Sequence, residues 1–402
     1  MNIIRTVYLE KVRAFVDTPV VKVITGIRRS GKSIFLEQIR NLILKKGVSK
    51  EQILSLNFES FADERVHTLE NVMSAVKAIR KKVKRKRIYL FLDEIQELVG
   101  WEKLVNSFLI DLNCDIYITG SNAKLLSGEL ATYLAGRYVE IKMYPFSFKE
   151  SYEAVGKLKK GVSQEKAFET YIDVGGYPFL YNFDLSESQR KQYLDDIFNS
   201  IILKDIADRY KVRDISLLKL LLAYFIENIG NTFSALRLIK FLKNERRSVS
   251  TETVYNYLEY AREACLLHLV PRQNLVGKEI LSSQEKIYIS DHGLRQSLFL
   301  KNQKDIGQVL ENIVYVELLR RGYSVTIGKT AKQEIDFCAR NEKGTEYFQV
   351  CYLLSGEETV KREFGAYALV PDNFPKYVLS LDRFDFSQNG IIHRNLIQWL
   401  LE

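Results

Sequence analysis

Residues Gly26 to Ser33 read GIRRSGKS, with two glycines, a lysine and a serine at the spacing G-x-x-x-x-G-K-[ST]. Chemically, that pattern holds a phosphate chain. Gly26 and Gly31 let the backbone N–H groups of Ile27, Arg28, Arg29 and Ser30 wrap the phosphates, and Ile34 opens a helix whose positive end faces them. Lys32 is then placed to reach the β- and γ-phosphates, and Ser33 to ligate Mg²⁺. The other reading is an ordinary glycine-rich turn. About 60 residues further on, IYLFLDEIQEL (Ile88 to Leu98) runs five apolar residues into Asp93 and Glu94. Asp93 is expected to hold Mg²⁺ through water, and Glu94 to orient and deprotonate an attacking water. Alone, such a pair is weak evidence; behind a phosphate loop it is strong.

Two further segments offer chemistry. DIYITGSN (Asp115 to Asn122) sets Ser121 or Asn122 beside the γ-phosphate, where either reports its presence; either also reads as a simple helix cap. Arg137, in a Gly-Arg turn, suits an arginine finger acting on a neighbouring chain's nucleotide, or equally a surface ion pair.

These residues need elements to carry them. Val21, Val23 and Ile24 form a short apolar run of the kind a buried strand shows, and Ile34, Phe35, Ile39, Leu42 and Leu44 recur at helical spacing, so the phosphate loop lies between strand and helix. Ile53 to Phe58 reads as a second buried strand, Leu69 to Ile79 as a helix, and Trp101 to Leu112 as another. A strand ending at Asp93 delivers its carboxylates to the C-terminal edge of a sheet, where open α/β sheets bind ligands.

At 402 residues, 46% hydrophobic and 27% charged, the chain has the composition of a globular protein of two or three domains. No apolar run approaches a membrane span and no membrane partner is expected; the start, MNIIRTVYLEKVRAF, lacks a signal-peptide core, and a cytoplasmic location follows as an expectation. Cys114, Cys265, Cys338 and Cys351 are scattered, which argues against a zinc site or a disulfide framework. The net charge of +9 is local: Lys77, Arg80, Lys81, Lys82, Lys84, Arg85, Lys86 and Arg87 are eight basic residues with no acid among them. This run either touches nucleic-acid phosphate or keeps a surface soluble.

Taken in order, GIRRSGKS, LDEIQE, ITGSN, LAGR with YPFSFKE, VGGYPFLY and K-x-Y-x-x-D-x-G-L (Lys286 to Leu294) resemble the AAA+-type ATPases widespread in archaea and bacteria that carry a C-terminal domain of unknown function. The resemblance spans nearly the whole chain. It implies an α/β fold: a P-loop NTPase core of AAA+ type, a helical lid, a winged helix and a C-terminal restriction-endonuclease-like α/β domain. The expected bounds are 1–150, 151–212, 213–275 and 276–402. The winged helix is drawn from FSALRLIKFLKNERRSVSTETVYNYLEYAREACLLHLV, with a turn at Arg246 and Arg247 and a second helix begun by Ser250 or Thr251. That helix buries Val254, Tyr257, Leu258 and Ala261 and turns Thr253, Asn256 and Arg262 outward, fewer cations than a DNA-reading helix carries.

In the nuclease-like domain Glu311 and Asp336 stand at metal-ligand positions, but the acid-x-lysine pair is replaced by Gln349, Val350 and Cys351. A nuclease lost to catalysis and kept for binding is expected, with Lys329 and Lys332 the lysines placed to restore the charge. The function expected overall is Mg-dependent ATP binding and hydrolysis by a switch or motor, with DNA one candidate target and a homo-oligomer if Arg137 works in trans. The alternatives are a nucleotide-gated DNA nuclease and a slowly hydrolysing adaptor for protein partners.

Overall fold

The structure, a computed structural model, describes residues 3–121, 134, 136–244, 247–277, 279–299, 305–330, 333–370 and 372–402. Asn122, Arg246 and Lys332 lie outside the described residues. The chain divides into two units, Met1–Met143 with Glu263–Cys265, and Tyr144–Arg262 with Leu266–Glu402. The first division falls at Met143, before the expected bound at 150.

The first unit is built on a parallel sheet of β1 (Val21–Thr25), β2 (Ile53–Asn57), β3 (Ile88–Asp93), β4 (Cys114–Gly120) and β5 (Tyr138–Lys142), in the order β2-β3-β4-β1-β5. Strand β4 separates the strand leading into the phosphate loop from the strand that ends at Asp93. Successive side chains on a strand point to opposite faces, so a sheet covered on both faces needs apolar residues at nearly every position. On one face Val21, Val23, Leu90, Leu92, Ile116 and Ile118 pack with α3 (Leu69–Val83) and α4 (Trp101–Asp111). On the other, Ile24, Phe91 and Tyr117 pack with α1 (Thr6–Arg13) and α2 (Lys32–Lys45). Lys22 breaks the apolar run of β1 and is wholly buried, its ammonium bonded to Asp115 and, at 3.0 Å, to the Val20 carbonyl.

The second unit holds α5 (Phe148–Leu158), α6 (Gln164–Val174), α7 (Glu187–Ser200), α8 (Ile215–Glu227), α9 (Ala235–Asn244) and α10 (Thr251–Glu263). Strands β6 (Leu267–Asn274), β7 (Ile280–Ile289), β8 (Ser324–Lys329), β9 (Glu334–Asn341), β10 (Gly344–Val350), β11 (Lys376–Ser380) and β12 (Ile392–Asn395) form one mixed sheet in the order β12-β11-β10-β9-β8-β6-β7. The expected bound at 275/276 falls inside the antiparallel β6–β7 hairpin, and β6 also pairs with β8. The hairpin that a sequence reads as a wing therefore continues into the C-terminal sheet, because an open strand edge is satisfied by the next strand.

Two motifs far apart in sequence meet in this unit. The Asp291 carboxylate accepts the N–H of Gly176 at 2.7 Å and of Gly293 at 2.9 Å, capping α11 (His292–Leu298) and tying it to the turn after α6. Burial pushes the Asp291 pKa up to about 7, against the pull of those two N–H groups and Arg320. A carboxyl whose folded pKa lies above its unfolded value contributes stability fully present below the unfolded pKa and lost as pH rises through the folded one. Relative to the parent, Asp291→Asn should therefore gain stability as pH climbs from about 4 to about 7, by on the order of 4 kcal/mol in all. Thermal melts of both chains across that window check it; a constant gap between them refutes the assignment. Buried His292, its pKa lowered to about 4, works in the opposite sense, present above its unfolded pKa and lost as pH falls. The comparison must therefore be taken as a difference between the chains.

Candidate nucleotide site

Strands β1, β3 and β4 all end at one edge of the first sheet, and each delivers polar residues there. Gly26 has φ +146°, and a Cβ on it would stand 2.1 Å from the Met143 carbonyl oxygen, so only glycine lets the chain leave β1 at this angle. Gly31, at φ +99°, precedes α2 and turns the first helical N–H groups toward the loop. Arg29 also takes a left-handed conformation, with φ +65°, and points to solvent. Ile27 and Ser30 are buried within the loop, whereas Ile34 is half exposed on the first turn of α2.

Lys32 is buried and donates to the carbonyls of Gly26 at 3.1 Å and Ile27 at 3.3 Å, and to the Ser121 hydroxyl at 2.9 Å. Its ammonium lies 3.6 Å from Glu94. Glu94 sits at φ +52° just past β3 and accepts from the Ser121 hydroxyl at 2.8 Å, the Ser121 N–H at 3.2 Å and Gln96 at 2.6 Å. Burial works to raise its pKa, but Lys32, Gln96, Ser121 and Arg28 together outweigh burial and hold it below the ordinary glutamate value. Asp93 is pushed the other way, chiefly by burial, while hydroxyl bonds from Thr119 and Ser33 oppose the rise. Thr119 joins the two acids: its hydroxyl donates to Asp93 and accepts the Glu94 N–H at 2.8 Å.

The structure thus brings together Lys32, Ser33, Asp93, Glu94 and Ser121, at one end of a cleft of about 220 Å³ that Ser33 and Asp93 line with Glu37, Arg40 and Asn57. The Ser33 hydroxyl and the Asp93 carboxylate are hard oxygen donors of the kind Mg²⁺ takes alongside substrate phosphates. Two such donors leave positions for phosphate oxygens and waters around the ion. Arg28 stands 3.5 Å from Glu59, in the turn that follows β2.

Arg137 is not part of this cluster. It precedes β5, next to Val21, whose N–H it accepts at 2.8 Å, and is exposed. Four residue steps of β1, about 13 Å, separate Val21 from Thr25 at the loop end. Sequence reasoning missed Thr119 and Gln96; a threonine interrupting the apolar run of β4 was the only signal for the first.

The remaining candidate residues fall elsewhere. In the basic run Arg80 donates to the Lys86 carbonyl and Arg87 to Asn113, while Lys77, Lys81, Lys82, Lys84, Arg85 and Lys86 are exposed ahead of β3. Ser250 caps α10, which buries Val254, Leu258 and Ala261, with Tyr257 and Thr253 only half buried and Asn256 and Arg262 exposed. In the second unit Glu311, on α12 (Ile306–Arg320), is bound by Lys286 at 2.9 Å and by the Tyr288 hydroxyl, and Asp336 accepts the Val350 N–H at 2.8 Å. Lys286, carried by β7, also stands 2.8 Å from Glu334, so a lysine other than the expected Lys329 meets the acids of this cluster. The Asp336 N–H donates to the Gln349 side-chain amide oxygen (Oε1) at 3.2 Å, and Cys351 is buried.

An AAA domain model matches residues 18–152, and a model described as a domain of unknown function matches residues 165–305. An uncharacterized protein of Haemophilus influenzae is 38% identical over 396 residues, covering 98% of each chain. The uncharacterized protein MJ1544 of Methanocaldococcus jannaschii is 34% identical over 359 residues, covering 86% of this chain and 78% of that one. Among solved structures, a Walker-type ATPase of Pyrococcus abyssi aligns with a TM-score of 0.47 and 18% identity, over 74% of this chain and 96% of the other.

Proposed function

The chain belongs to the family it shares with these Haemophilus and Methanocaldococcus relatives, with an AAA domain at residues 18–152, and on that footing we propose that it binds Mg-ATP and hydrolyses it as a molecular switch or motor. The observation that carries this reading is the convergence of Lys32, Ser33, Asp93, Glu94 and Ser121 at one sheet edge. Ser33 and Asp93 would hold Mg²⁺, which would neutralise charge on the bound phosphates. Lys32 exchanges its carbonyl and hydroxyl partners for phosphate oxygens, while Glu94, charged at neutral pH, takes a proton from the attacking water. Ser121, bonded to both, senses whether the γ-phosphate is present. A cytoplasmic setting belongs to the proposal; among the described residues no helix is long and apolar enough to cross a membrane.

DNA is proposed as the substrate on which the motor acts, through the exposed lysines around 77–86 or through α10. The nuclease rival is less well supported, because Glu311 and Asp336 already bond Lys286, Tyr288 and Val350.

The test is steady-state ATP turnover with and without single- and double-stranded DNA. Stimulation supports the motor; silence under every condition supports the adaptor. Arg137, exposed and remote from its own loop, is proposed to act on a neighbour's nucleotide in a homo-oligomer. Mixing Arg137→Ala with Lys32→Ala chains should then restore part of the turnover that each lacks alone, since a finger contributes about 10³- to 10⁵-fold. No recovery at any ratio makes Arg137 structural.

A further inference from the structure

Arg5 lies outside every motif described above, yet it is 3% exposed and reaches the phosphate loop. Its guanidinium donates to the Ser30 carbonyl at 3.1 Å and stands 4.9 Å from the centre of the Tyr8 ring. The backbone around it is clamped to α2 by Gln38, which accepts the Arg5 N–H at 3.0 Å and donates to the Ile3 carbonyl at 2.7 Å. Gln38 sits about 1.7 turns along the helix that Lys32 begins, so one helix holds both the lysine and the arginine's backbone.

We infer that Arg5 is a positioning residue of the phosphate loop, fixing the Ser30–Gly31 peptide so that its N–H faces the bound phosphates; this rests on the Mg-ATP reading above. In a planar trans peptide the C=O and N–H point in opposite directions. A cation on the Ser30 carbonyl therefore sets the direction of the Gly31 N–H, and withdrawing electrons through the peptide makes that N–H a stronger donor. The carbonyl cannot rotate inward, where it would oppose an anion, without breaking a charge-assisted bond in a buried site. Arg5 itself touches no phosphate: it acts on the donor beside Lys32.

Arg5→Met keeps the length and the apolar contact with Tyr8 while removing the donor, and Arg5→Lys restores a cation of different geometry. Calorimetric titration of the full chain with Mg-ADP should show Arg5→Met binding about 10- to 100-fold more weakly than the parent. Arg5→Lys should fall between them. Parental affinity in Arg5→Met overturns the inference, and so does a loss of affinity that Arg5→Lys does not partly restore. Should Arg5→Met fail to fold, Arg5→Lys decides alone: unchanged affinity overturns the inference, and a loss of about threefold or more supports it. A parent chain that binds no Mg-ADP sinks the nucleotide reading itself. A parent that binds, beside an Arg5→Met chain that binds as well, leaves that reading standing and removes Arg5 from it.

Discussion

Glu94→Gln should bind ATP and hold it, with turnover lowered about 10²- to 10⁴-fold. Glu94 is 7% exposed and its carboxylate receives Ser121, Gln96 and Lys32, so it is ionised at neutral pH and is expected to become a base toward water as Lys32 turns from it to phosphate. An amide of the same shape cannot take that proton. It also removes the negative partner of Lys32, which leaves the ammonium more available to phosphate, so affinity should hold or rise. Lys32→Ala should fail at an earlier step: the ammonium that bridges Gly26, Ile27 and Ser121 is gone, and nucleotide binding goes with it. Retained label after rapid filtration with radiolabelled ATP, followed by separation of ATP from ADP, distinguishes the two. Equal turnover in Glu94→Gln would place the base on another residue, and undiminished turnover in Lys32→Ala would remove the phosphate-loop assignment altogether.

The second large effect concerns stability rather than chemistry. Gly293→Ala is expected to destabilise the second unit by about 3 kcal/mol, near the upper end for overpacking. A Cβ at Gly293 would stand 2.2 Å from the Val174 carbonyl oxygen and 2.8 Å from the Asp291 carboxylate, both held in place. Backbone cannot step aside as the end of a flexible side chain does, so either α6 or α11 must move and the bonds from Gly176 and Gly293 to Asp291 break. The control is Gly156→Ala, in the exposed part of α5, where nothing lies within 4 Å of the added carbon. There, helix propensity predicts a gain of up to about 1 kcal/mol. Urea denaturation of both variants reads the contrast; if Gly293→Ala unfolds at the parent's midpoint, the close approach of the two elements is not what the glycine is for.

How much of this was legible beforehand differs from residue to residue. The loop between β1 and α2 was legible because its pattern is local: glycine, lysine and serine fall within eight consecutive residues, and the strand before them and helix after them announce themselves by periodicity. Asp93 and Glu94 were legible for the same reason, as charges ending an apolar run. The helix beginning at Ser250 or Thr251 was set by an N-cap that its own neighbours satisfy.

What the sequence could not settle were relations across many residues. That β4 lies between β1 and β3, and so places Thr119 and Ser121 against both acids, depends on strand order, which no local pattern encodes. No motif marks Arg5 or Gln38 in the sequence; packing alone sets the Arg5 guanidinium on the Ser30 carbonyl. Asp291 stands in the sequence only as one letter of the K-x-Y-x-x-D-x-G-L run, yet it receives Gly176 from 115 residues away. Lys286 was not singled out in sequence because its pairing with Glu311 and Glu334 joins β7 to a helix and to a strand far along the chain. The physical reason is common to all four: a buried charge or polar group must find a partner, and which partner it finds is decided by how the chain folds back, not by its neighbours in sequence.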